Sequence, residues 1–385
     1  MTAPTKPGPK SDASFGWQQV RTWRLRRHHL NRRAPREALV EVVAQLGGIQ
    51  AQVMSAAELA LWARIENLEP DAVPRALWEE RSLIKTWAMR GTLHLLPSSE
   101  LHLWQVVPGL DRRYLRPAWL TYFGITAEEL ERLTAAVADA LDGRVLTREE
   151  LIDEVSGLLD SEELGAKLRF SWGSMLKPAA FRCLLCFGPS LGSKARFALP
   201  ESWLGGLQRV DDDRAEREVT RRFLGTYGPA TRDVYAQWLG IARIRAGNLL
   251  KALGDDVTAV HIEGTPAWAL TGQLEGISES QPPGSVRLLP AFDQYVLVAS
   301  RDAPNFLPGP FSDRIYRPQG WLSPVLLVDG RMDGVWKYER KRSRLLVQIE
   351  PFVDLPAWAR QAVEQEAERL ALFLGGDLDL RWIAS

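Results

Sequence analysis

The chain has 385 residues and a mass of 43.2 kDa, enough for two or three domains of ordinary size. Apolar residues make up 45% of it and charged residues 25%, which excludes a chain that is disordered as a whole. The 48 Lys and Arg residues balance 48 Asp and Glu residues, which excludes a uniformly basic or uniformly acidic protein. A neutral sum leaves nucleic acid open as a partner, because opposed patches can cancel.

The charges are segregated along the chain. Residues 17–36 carry seven Arg and no acid, and residues 331–344 carry six Lys or Arg against two acids. Residues 128–163 carry twelve Asp or Glu against three Arg. This distribution predicts basic surfaces on some elements and acidic outer faces on others, although a single run of charge is about as often only a solvated face.

Residues 1–16 are predicted to be a disordered tail, because they begin with a polar, Pro-rich stretch that lacks the apolar core of a signal peptide. No run of about 18 apolar residues occurs in the sequence, so we expect no membrane partner. The scarcity of cysteine is typical of a reducing cytoplasm, which is the location we expect. The two cysteines, Cys183 and Cys186, lie in an apolar run without the further ligands that a zinc site needs. We interpret them as buried packing residues and predict neither a metal nor a cofactor.

The predicted elements suggest an α+β fold with three tandem winged-helix units, over residues 17–125, 126–205 and 206–275. In the first winged-helix unit, two helices flank Gly47-Gly48, and a further helix precedes a hairpin that turns at Arg90-Gly91. The further helix covers residues 71–80, and the strands of the hairpin are Leu83–Met89 and Thr92–Leu96. The second winged-helix unit has predicted helices over residues 127–141, 147–159 and about 174–186, followed by a hairpin near Gly188–Leu199.

The third winged-helix unit, over residues 206–275, shows the clearest pattern of helices and strands. Gly228-Pro229 breaks a helix, a short helix and a second helix over residues 243–253 follow, and two strands come next, Val257–Ile262 and Ala267–Leu270. Helix, turn, helix and hairpin is the order of a winged helix. A small α+β packing unit without any contact to DNA is the alternative.

Residues 276–385 are predicted to form a β-rich domain with a barrel-like sheet. Two stretches rich in Val, Leu and aromatic residues supply its strands, over residues 286–302 and 322–350. Asp329-Gly330 and Asp333-Gly334 are dipeptides typical of hairpin turns. An amphipathic helix over Leu355–Phe373 is spaced to cover the sheet.

The common motifs of nucleotide hydrolysis, serine hydrolysis and zinc proteolysis are absent from the sequence. The remaining candidate for a catalytic motif is Leu46-Gly-Gly-Ile-Gln50-Ala-Gln52, which links two helices of the first winged-helix unit. Together with the blocks TWAMRGTLHLLPSSELHLW, TYGPATRDVYAQWLG, LLPAFDQYVLVASRD and VLLVDGRMDGVW, in this order, it resembles the AlkZ/YcaQ family of bacterial winged-helix DNA glycosylases. The resemblance extends from about Trp17 to Pro351.

The resemblance implies that Gln50 and Gln52 are catalytic, because the signature of that family is Gln-x-Gln or Gln-x-Asp. The Gln-x-Gln form marks the branch that removes bulky N7-alkylguanine adducts and can unhook interstrand crosslinks. The implied activity is hydrolysis of an N-glycosidic bond, with double-stranded DNA that contains alkylated bases as the partner. No Lys adjoins the motif, so we expect a monofunctional glycosylase without Schiff-base chemistry, acting as a monomer.

Basic side chains near these motifs are the candidates for binding DNA phosphates. They are Arg24, Arg27, Arg90, His94, Lys337, Arg340 and Lys341, and the hairpin around Val328–Trp336 is expected to reach a groove or clamp the backbone. Asp293 and Tyr295 match a block of the family. Asp293 either supports the site from behind or is a surface charge beside a turn.

Two other classes of protein remain possible from sequence. A winged-helix transcriptional regulator would need a helix that reads sequence and usually a dimer, and it leaves the Gln-x-Gln motif unexplained. A scaffold that uses winged helices for protein contacts would bind no duplex at all.

Overall fold

The computed structural model describes residues 10–110, 112–171, 173–282, 284–299 and 306–383. The chain folds into two compact units of mixed α and β structure. The first unit comprises the chain up to Ala72, Thr220–Trp238 and everything from Ala242 on, and the second comprises Val73–Val219 with Leu239–Ile241. In the part of the chain described, no helix is both long and apolar enough to cross a membrane.

The helices of the described residues are, in chain order, α1 (Trp17–Arg27), α2 (Leu39–Gln45), α3 (Met54–Trp62), α4 (Ala72–Trp78), α5 (Leu101–Leu110), α6 (Pro117–Phe123), α7 (Ala127–Leu141), α8 (Arg148–Leu159), α9 (Glu162–Phe170), α10 (Lys177–Phe181), α11 (Pro200–Leu204), α12 (Asp212–Tyr227), α13 (Arg232–Leu239), α14 (Arg243–Ala252), α15 (Leu274–Ser278), α16 (Gln294–Val298), α17 (Ser312–Ile315) and α18 (Ala357–Leu374). The strands are β1 (Lys10–Phe15), β2 (Ile49–Gln50), β3 (Leu83–Trp87), β4 (Leu93–Pro97), β5 (Val145–Thr147), β6 (Cys186–Leu191), β7 (Lys194–Ala198), β8 (Val257–Ile262), β9 (Thr265–Leu270), β10 (Val286–Leu289), β11 (Val325–Val328), β12 (Arg331–Lys341), β13 (Arg344–Pro351) and β14 (Asp377–Trp382).

The largest sheet of the first unit is open and has the order β10-β11-β12-β13-β14. Neighbouring strands are antiparallel except for β13 and β14, which run parallel because α18 lies between them in the chain. Val363, Ala367 and Leu370 form one fully buried face of α18. The predicted barrel is wrong, since β10 and β14 lie at opposite edges and do not pair.

Two local predictions in this region are also wrong. The stretch 286–302 contains only the short strand β10, and its continuation folds as α16, where the Asp293 side chain accepts a hydrogen bond from the backbone N–H of Tyr295. Asp329-Gly330 does form the turn between β11 and β12, as predicted. Asp333-Gly334 instead lies inside β12, next to an irregularity in its pairing with β11.

The helix-helix-hairpin order predicted for residues 206–275 is confirmed in α13, α14, β8 and β9. The hairpin gains a third strand, because β1 pairs in parallel with the free edge of β8. The predicted disordered tail is therefore wrong from Lys10 onward, while residues 1–9 lie outside the described part of the chain.

In the second unit, antiparallel strands follow the order β4-β3-β6-β7-β5 and pack against α7 and α8. Both helices begin at a predicted position with a capping box, formed by Thr126 with Glu129 and by Thr147 with Glu150. The helix predicted near residues 174–186 is shorter, because a 3-10 turn precedes α10 and a positive φ at Cys183 ends the helical path.

The α+β class is confirmed by these elements. The division into three winged-helix units stays a prediction. Both cysteines are free and buried, as predicted. Burial raises the pKa of the Cys183 thiol to about 12 and raises that of Cys186 as well, which makes both thiols unreactive at neutral pH.

Candidate active site

Two glycines shape the segment that carries Gln50 and Gln52. Gly47 has φ 70° and Gly48 has φ 96°, and their N–H groups close the end of α2 by bonding the carbonyls of Ala44 and Val43. A side chain would be strained at these dihedral angles, so glycine is required here. After α2 the chain runs through β2 and enters α3 at Met54.

The two glutamines differ in exposure. Gln50 is only 8% exposed, whereas Gln52 is exposed to solvent. Their neighbours Ile49 and Ala51 are fully buried and fix the segment in the core of the first unit. Gln50 therefore sits at the boundary between core and solvent, with Gln52 on the outer side.

Side chains from distant elements hold the backbone that leads into the motif. The hydroxyl of Tyr227, at the end of α12, donates a 2.8 Å hydrogen bond to the carbonyl of Leu46. The amide of Gln294, at the start of α16, donates a 2.8 Å bond to the carbonyl of Gly48. Since both donors are buried, these bonds are protected from competing water.

A buried ion pair anchors α16 to the end of α3. The Arg64 guanidinium binds the Asp293 carboxylate in a bidentate manner, with N–O distances of 2.7 and 2.8 Å, and both side chains are fully buried. Arg64 also donates to the carbonyl of Ala60. Because Asp293 directly precedes Gln294, this pair positions the amide that holds Gly48. The alternative that Asp293 is a surface charge is wrong.

Tyr295 joins α16 to the turn between β11 and β12. Its hydroxyl donates a 3.0 Å hydrogen bond to the carbonyl of Gly330, and burial raises the pKa of this phenol. A Cβ at Gly330 would lie 2.8 Å from that hydroxyl and 3.0 Å from the Cβ of Arg21, so the turn packs tightly on α1. Gly330 is therefore buried, whereas Asp329 and Arg331 beside it are half-buried. That the hairpin around Val328–Trp336 reaches a DNA groove or clamps the backbone stays a prediction.

The outer half of β12 lies beside the beginning of α3. Tyr338 on β12 lies near Ser55 and Glu58 of α3, and burial together with the Glu58 carboxylate raises the pKa of its phenol. Ser55 comes three residues after Gln52. Cationic residues of this strand, in contrast, are exposed to solvent: Lys337, Arg340 and Lys341. A basic edge therefore runs past the helix that follows the Gln motif.

Arg24 and Arg27 serve the interior of the first unit. Arg24 is 5% exposed, donates a 2.6 Å bond to the carbonyl of Pro229 and lies over the ring of Phe306. Burial lowers the pKa of Arg24 to about 10, so it stays charged at neutral pH. Arg27 donates to the carbonyl of Gly225. Arg24 presents no surface to a DNA strand, and the exposed cations of this run are Arg26, Arg32 and Arg36.

Arg90 and His94 belong to the second unit. His94 is fully buried, with Nδ1 3.0 Å from the carbonyl of Thr92 and Nε2 3.3 Å from a guanidinium nitrogen of Arg90. Since Arg only donates, we assign the proton to Nδ1 and the acceptor role to Nε2. Burial, reinforced by Arg90, lowers the pKa of His94 to about 3. His94 therefore orients Arg90 and cannot itself contact DNA as predicted.

This state of His94 predicts that acid destabilises the fold. The unfolded chain binds a proton below pH 6.5 whereas folded His94 does not, so lowering the pH from 7.5 to 5.5 is expected to favour unfolding by about 1.4 kcal/mol through this residue. His94→Gln is expected to reduce the fall in unfolding free energy over this range, measured by denaturant titration at each pH. Replacement of the exposed His261 by Gln is the control, and an equal pH dependence in the two variants would contradict the assignment.

No cluster of three or more His, Cys, Asp or Glu residues that could hold a metal ion occurs in the described ranges. The site is thus built from amides, hydroxyls and one buried ion pair. Sequence reasoning missed Arg64, Tyr227 and Gln294, which position the motif from outside. The block LLPAFDQY holds the one sequence signal for Gln294, because Gln294 lies between Asp293 and Tyr295, which match a block of the family.

Comparison with known proteins identifies the class as DNA glycosylase, a hydrolase of N-glycosyl bonds. Residues 43–373 match the family described as "DNA glycosylase AlkZ-like", and the chain belongs to this family. It is 37% identical, over 360 residues that cover 92% of this chain and 95% of the relative, to the "Interstrand DNA cross-link repair glycosylase" of Streptomyces sahachiroi. The solved structure of Streptomyces sahachiroi DNA glycosylase AlkZ superposes with a TM-score of 0.86 and 36% identity, covering 97% of this chain and all of that one.

Proposed function

We propose that this enzyme is a monofunctional glycosylase that releases N7-alkylated guanine, including bulky adducts, from duplex DNA, and that Gln50 and Gln52 carry the reaction. The observation that carries the proposal is the support of the Gln motif from two sides, by Tyr227 and Gln294. Catalysis by positioned dipoles needs groups whose geometry is fixed before the reaction begins.

The chemistry suits a pair of amides. Alkylation at N7 gives the purine a positive charge, so it leaves as a neutral base and needs no strong general acid. The sugar develops oxocarbenium character as the bond breaks. A Gln side chain offers both a donor and an acceptor, so Gln50 and Gln52 can orient a water and direct carbonyl oxygens at the sugar cation. Neither amide can deprotonate that water, so its proton passes to solvent once the new C–O bond has formed.

We propose that three winged-helix units carry the DNA, with the exposed cations of β12 and Arg90 as phosphate contacts. The relative from Streptomyces sahachiroi is named for interstrand crosslink repair, and we extend that role to this chain as a proposal. A crosslinked base stays tethered to the other strand and cannot swing out fully, so the enzyme must act without complete base flipping. A cytoplasmic monomer is sufficient for this chemistry.

The test uses duplexes that contain N7-methylguanine, a bulky N7-guanine adduct or an N7-linked interstrand crosslink. We expect free base and abasic sites from the monoadducts and separated strands from the crosslink. Borohydride should trap no covalent complex with DNA. Release from none of the three substrates would contradict the proposed function, and a trapped complex would contradict the monofunctional mechanism.

Neutralising the basic edge is expected to flatten the salt dependence of DNA binding. Each lost phosphate contact lowers the slope of log K against log salt by about 0.9, so the triple variant Lys337→Gln/Arg340→Gln/Lys341→Gln should lose about two to three units of slope. The measurement is the equilibrium binding of undamaged duplex at several salt concentrations. Lys194→Gln, at an exposed cation on β7 in the second unit, is the control. An unchanged slope in the triple variant would remove this edge from the interface.

The transcriptional regulator is not favoured, because the chain belongs to a family of glycosylases. It would be supported by tight, sequence-specific binding to undamaged duplex. A scaffold without DNA contact would be supported by the absence of any salt-dependent duplex binding.

A further inference from the structure

A cluster of charged side chains lies between the turn after α1, strand β10 and helix α18, and the proposed chemistry does not use it. The Arg33 guanidinium is hydrogen-bonded to the Glu366 carboxylate, and Nη1 of Arg287 lies 4.0 Å from the same oxygen. Glu366 is 6% exposed and Arg287 is 9% exposed. Arg369 follows Glu366 by three residues, so it lies on the same face of α18. Three arginines and one carboxylate therefore meet in this part of the first unit.

Glu366 offsets the positive charge of this cluster. Burial lowers the pKa of Arg287 and of Arg369 to about 10, and the Glu366 carboxylate opposes the shift in both. Both arginines therefore stay protonated at neutral pH. Arg33 acts on Arg369 in the same direction as burial, which is the mark of neighbouring like charges. Because buried like charges are costly when no opposite charge is near, Glu366 holds the arginines together.

Two of these arginines bind the backbone on either side of the segment α2–β2–α3. Arg287 donates a 3.1 Å hydrogen bond to the carbonyl of Asn31, before α2. Arg369 donates bonds of 2.7 and 2.6 Å to the carbonyls of Trp62 and Ile65, at the end of α3, and its guanidinium lies 4.4 Å from the centre of the Trp62 ring. A cation at the C-terminus of a helix also interacts favourably with the helix dipole.

The two ends of this segment are also joined to each other. The backbone N–H of Ala34 donates a 2.8 Å hydrogen bond to the carbonyl of Arg64, and the N–H of Glu66 donates a 2.8 Å bond to the carbonyl of Ala34. Gln50 and Gln52 lie between these two ends in the chain. The charged cluster therefore fixes the ends of the same segment whose middle carries the Gln motif.

We propose that Glu366 is a positioning residue for base release, because it holds the three arginines in the arrangement that fixes both ends of the segment α2–β2–α3. Its effect reaches Gln50 and Gln52 through the backbone and requires no contact with DNA. Loss of the carboxylate lets the arginines separate and the ends of the segment move, and small displacements of catalytic groups cost rate. The link to base release rests on the proposed function, whereas the link to the backbone of the motif does not.

Amide hydrogen exchange in residues 46–53 tests the link to the backbone without any need for activity. We expect Glu366→Gln, which removes the charge at nearly the same size, to speed exchange there by about tenfold or more. Exchange in residues 257–270, the hairpin of β8 and β9, should stay at the parental rate. Glu364→Gln, at an exposed position on α18, should change neither segment. Parental exchange in residues 46–53 of Glu366→Gln, or an equal rise in both segments, would overturn the proposal.

Arg369→Met decides the question if Glu366→Gln does not fold. It removes the hydrogen bonds to the carbonyls of Trp62 and Ile65, while Glu366 keeps Arg33 as its partner. Exchange in residues 46–53 should again rise selectively. An exchange rate equal to that of the parent in this variant would also refute the proposal.

Single-turnover release of N7-methylguanine from duplex DNA then tests the link to the reaction. Glu366→Gln should lower the rate at saturation by about tenfold or more and leave the half-saturating DNA concentration unchanged, because Glu366 is buried. A parental rate at saturation would remove Glu366 from the reaction. A parent protein that releases no base contradicts the proposed function instead, and a selective rise in exchange in Glu366→Gln still supports the positioning of the motif.

Discussion

Arg64→Met is expected to lower the free energy of unfolding by about 3–5 kcal/mol, because it leaves the Asp293 carboxylate fully buried without its partner. The lost bidentate contact also frees α16 from the end of α3. Gln294 would then hold the Gly48 carbonyl less firmly, so base release should slow in the variant that remains folded.

The measurement for Arg64→Met is denaturant unfolding, followed by base release under conditions in which the variant is folded. Arg36→Ala provides a matched control, since it removes an Arg whose partner Glu37 is exposed, and such a surface pair contributes little to stability. Adding Asp293→Asn to Arg64→Met should recover part of the loss, because the isolated charge is gone. Equal effects of Arg64→Met and Arg36→Ala would show that the buried pair does not anchor α16.

Gln50→Ala and Gln52→Ala are each expected to slow base release by about 10²–10³-fold, the usual effect of removing one preorganised dipole from a catalytic site. The reason is local, since each substitution deletes an amide that we propose to orient the water or to face the sugar. The backbone of the motif should stay in place, because Tyr227 and Gln294 bind main-chain carbonyls rather than the Gln side chains.

Single-turnover kinetics at saturating enzyme distinguishes a catalytic defect from a binding defect. The affinity for the damaged duplex should remain within about threefold of the parent value. Gln18→Ala, which removes an exposed Gln from α1, should leave the rate unchanged. The two losses should not add fully in the double variant if both amides act on one water.

The elements that could be predicted from the sequence are those with local signals. The capping boxes of α7 and α8 are written in Thr126-x-x-Glu129 and Thr147-x-x-Glu150, and both helices begin there. The strand β8 and the turn at Asp329-Gly330 follow from β-branched and turn residues. The Gln motif could be recognised because five ordered blocks identify its family.

Features that depend on distant contacts could not be predicted in this way. The pairing of β14 with β13, which leaves the sheet open, depends on where α18 packs. Burial of Arg24 is equally non-local, because a basic run in the sequence does not reveal which cations find carbonyl partners inside, and its partner Pro229 lies 205 residues away. The Arg64–Asp293 pair joins positions 229 residues apart, and no local pattern indicates it.

We propose that Gln50 and Gln52 orient the water that hydrolyses the N-glycosidic bond of an N7-alkylated guanine. The most direct measurement is the amount of free N7-methylguanine released from duplex DNA in a single turnover, for the parent enzyme and for Gln50→Ala/Gln52→Ala at equal occupancy of the DNA. We predict release by the parent and a loss of at least about 10²-fold in the double variant, with DNA binding retained. Release at the parental rate by the double variant would contradict the claim.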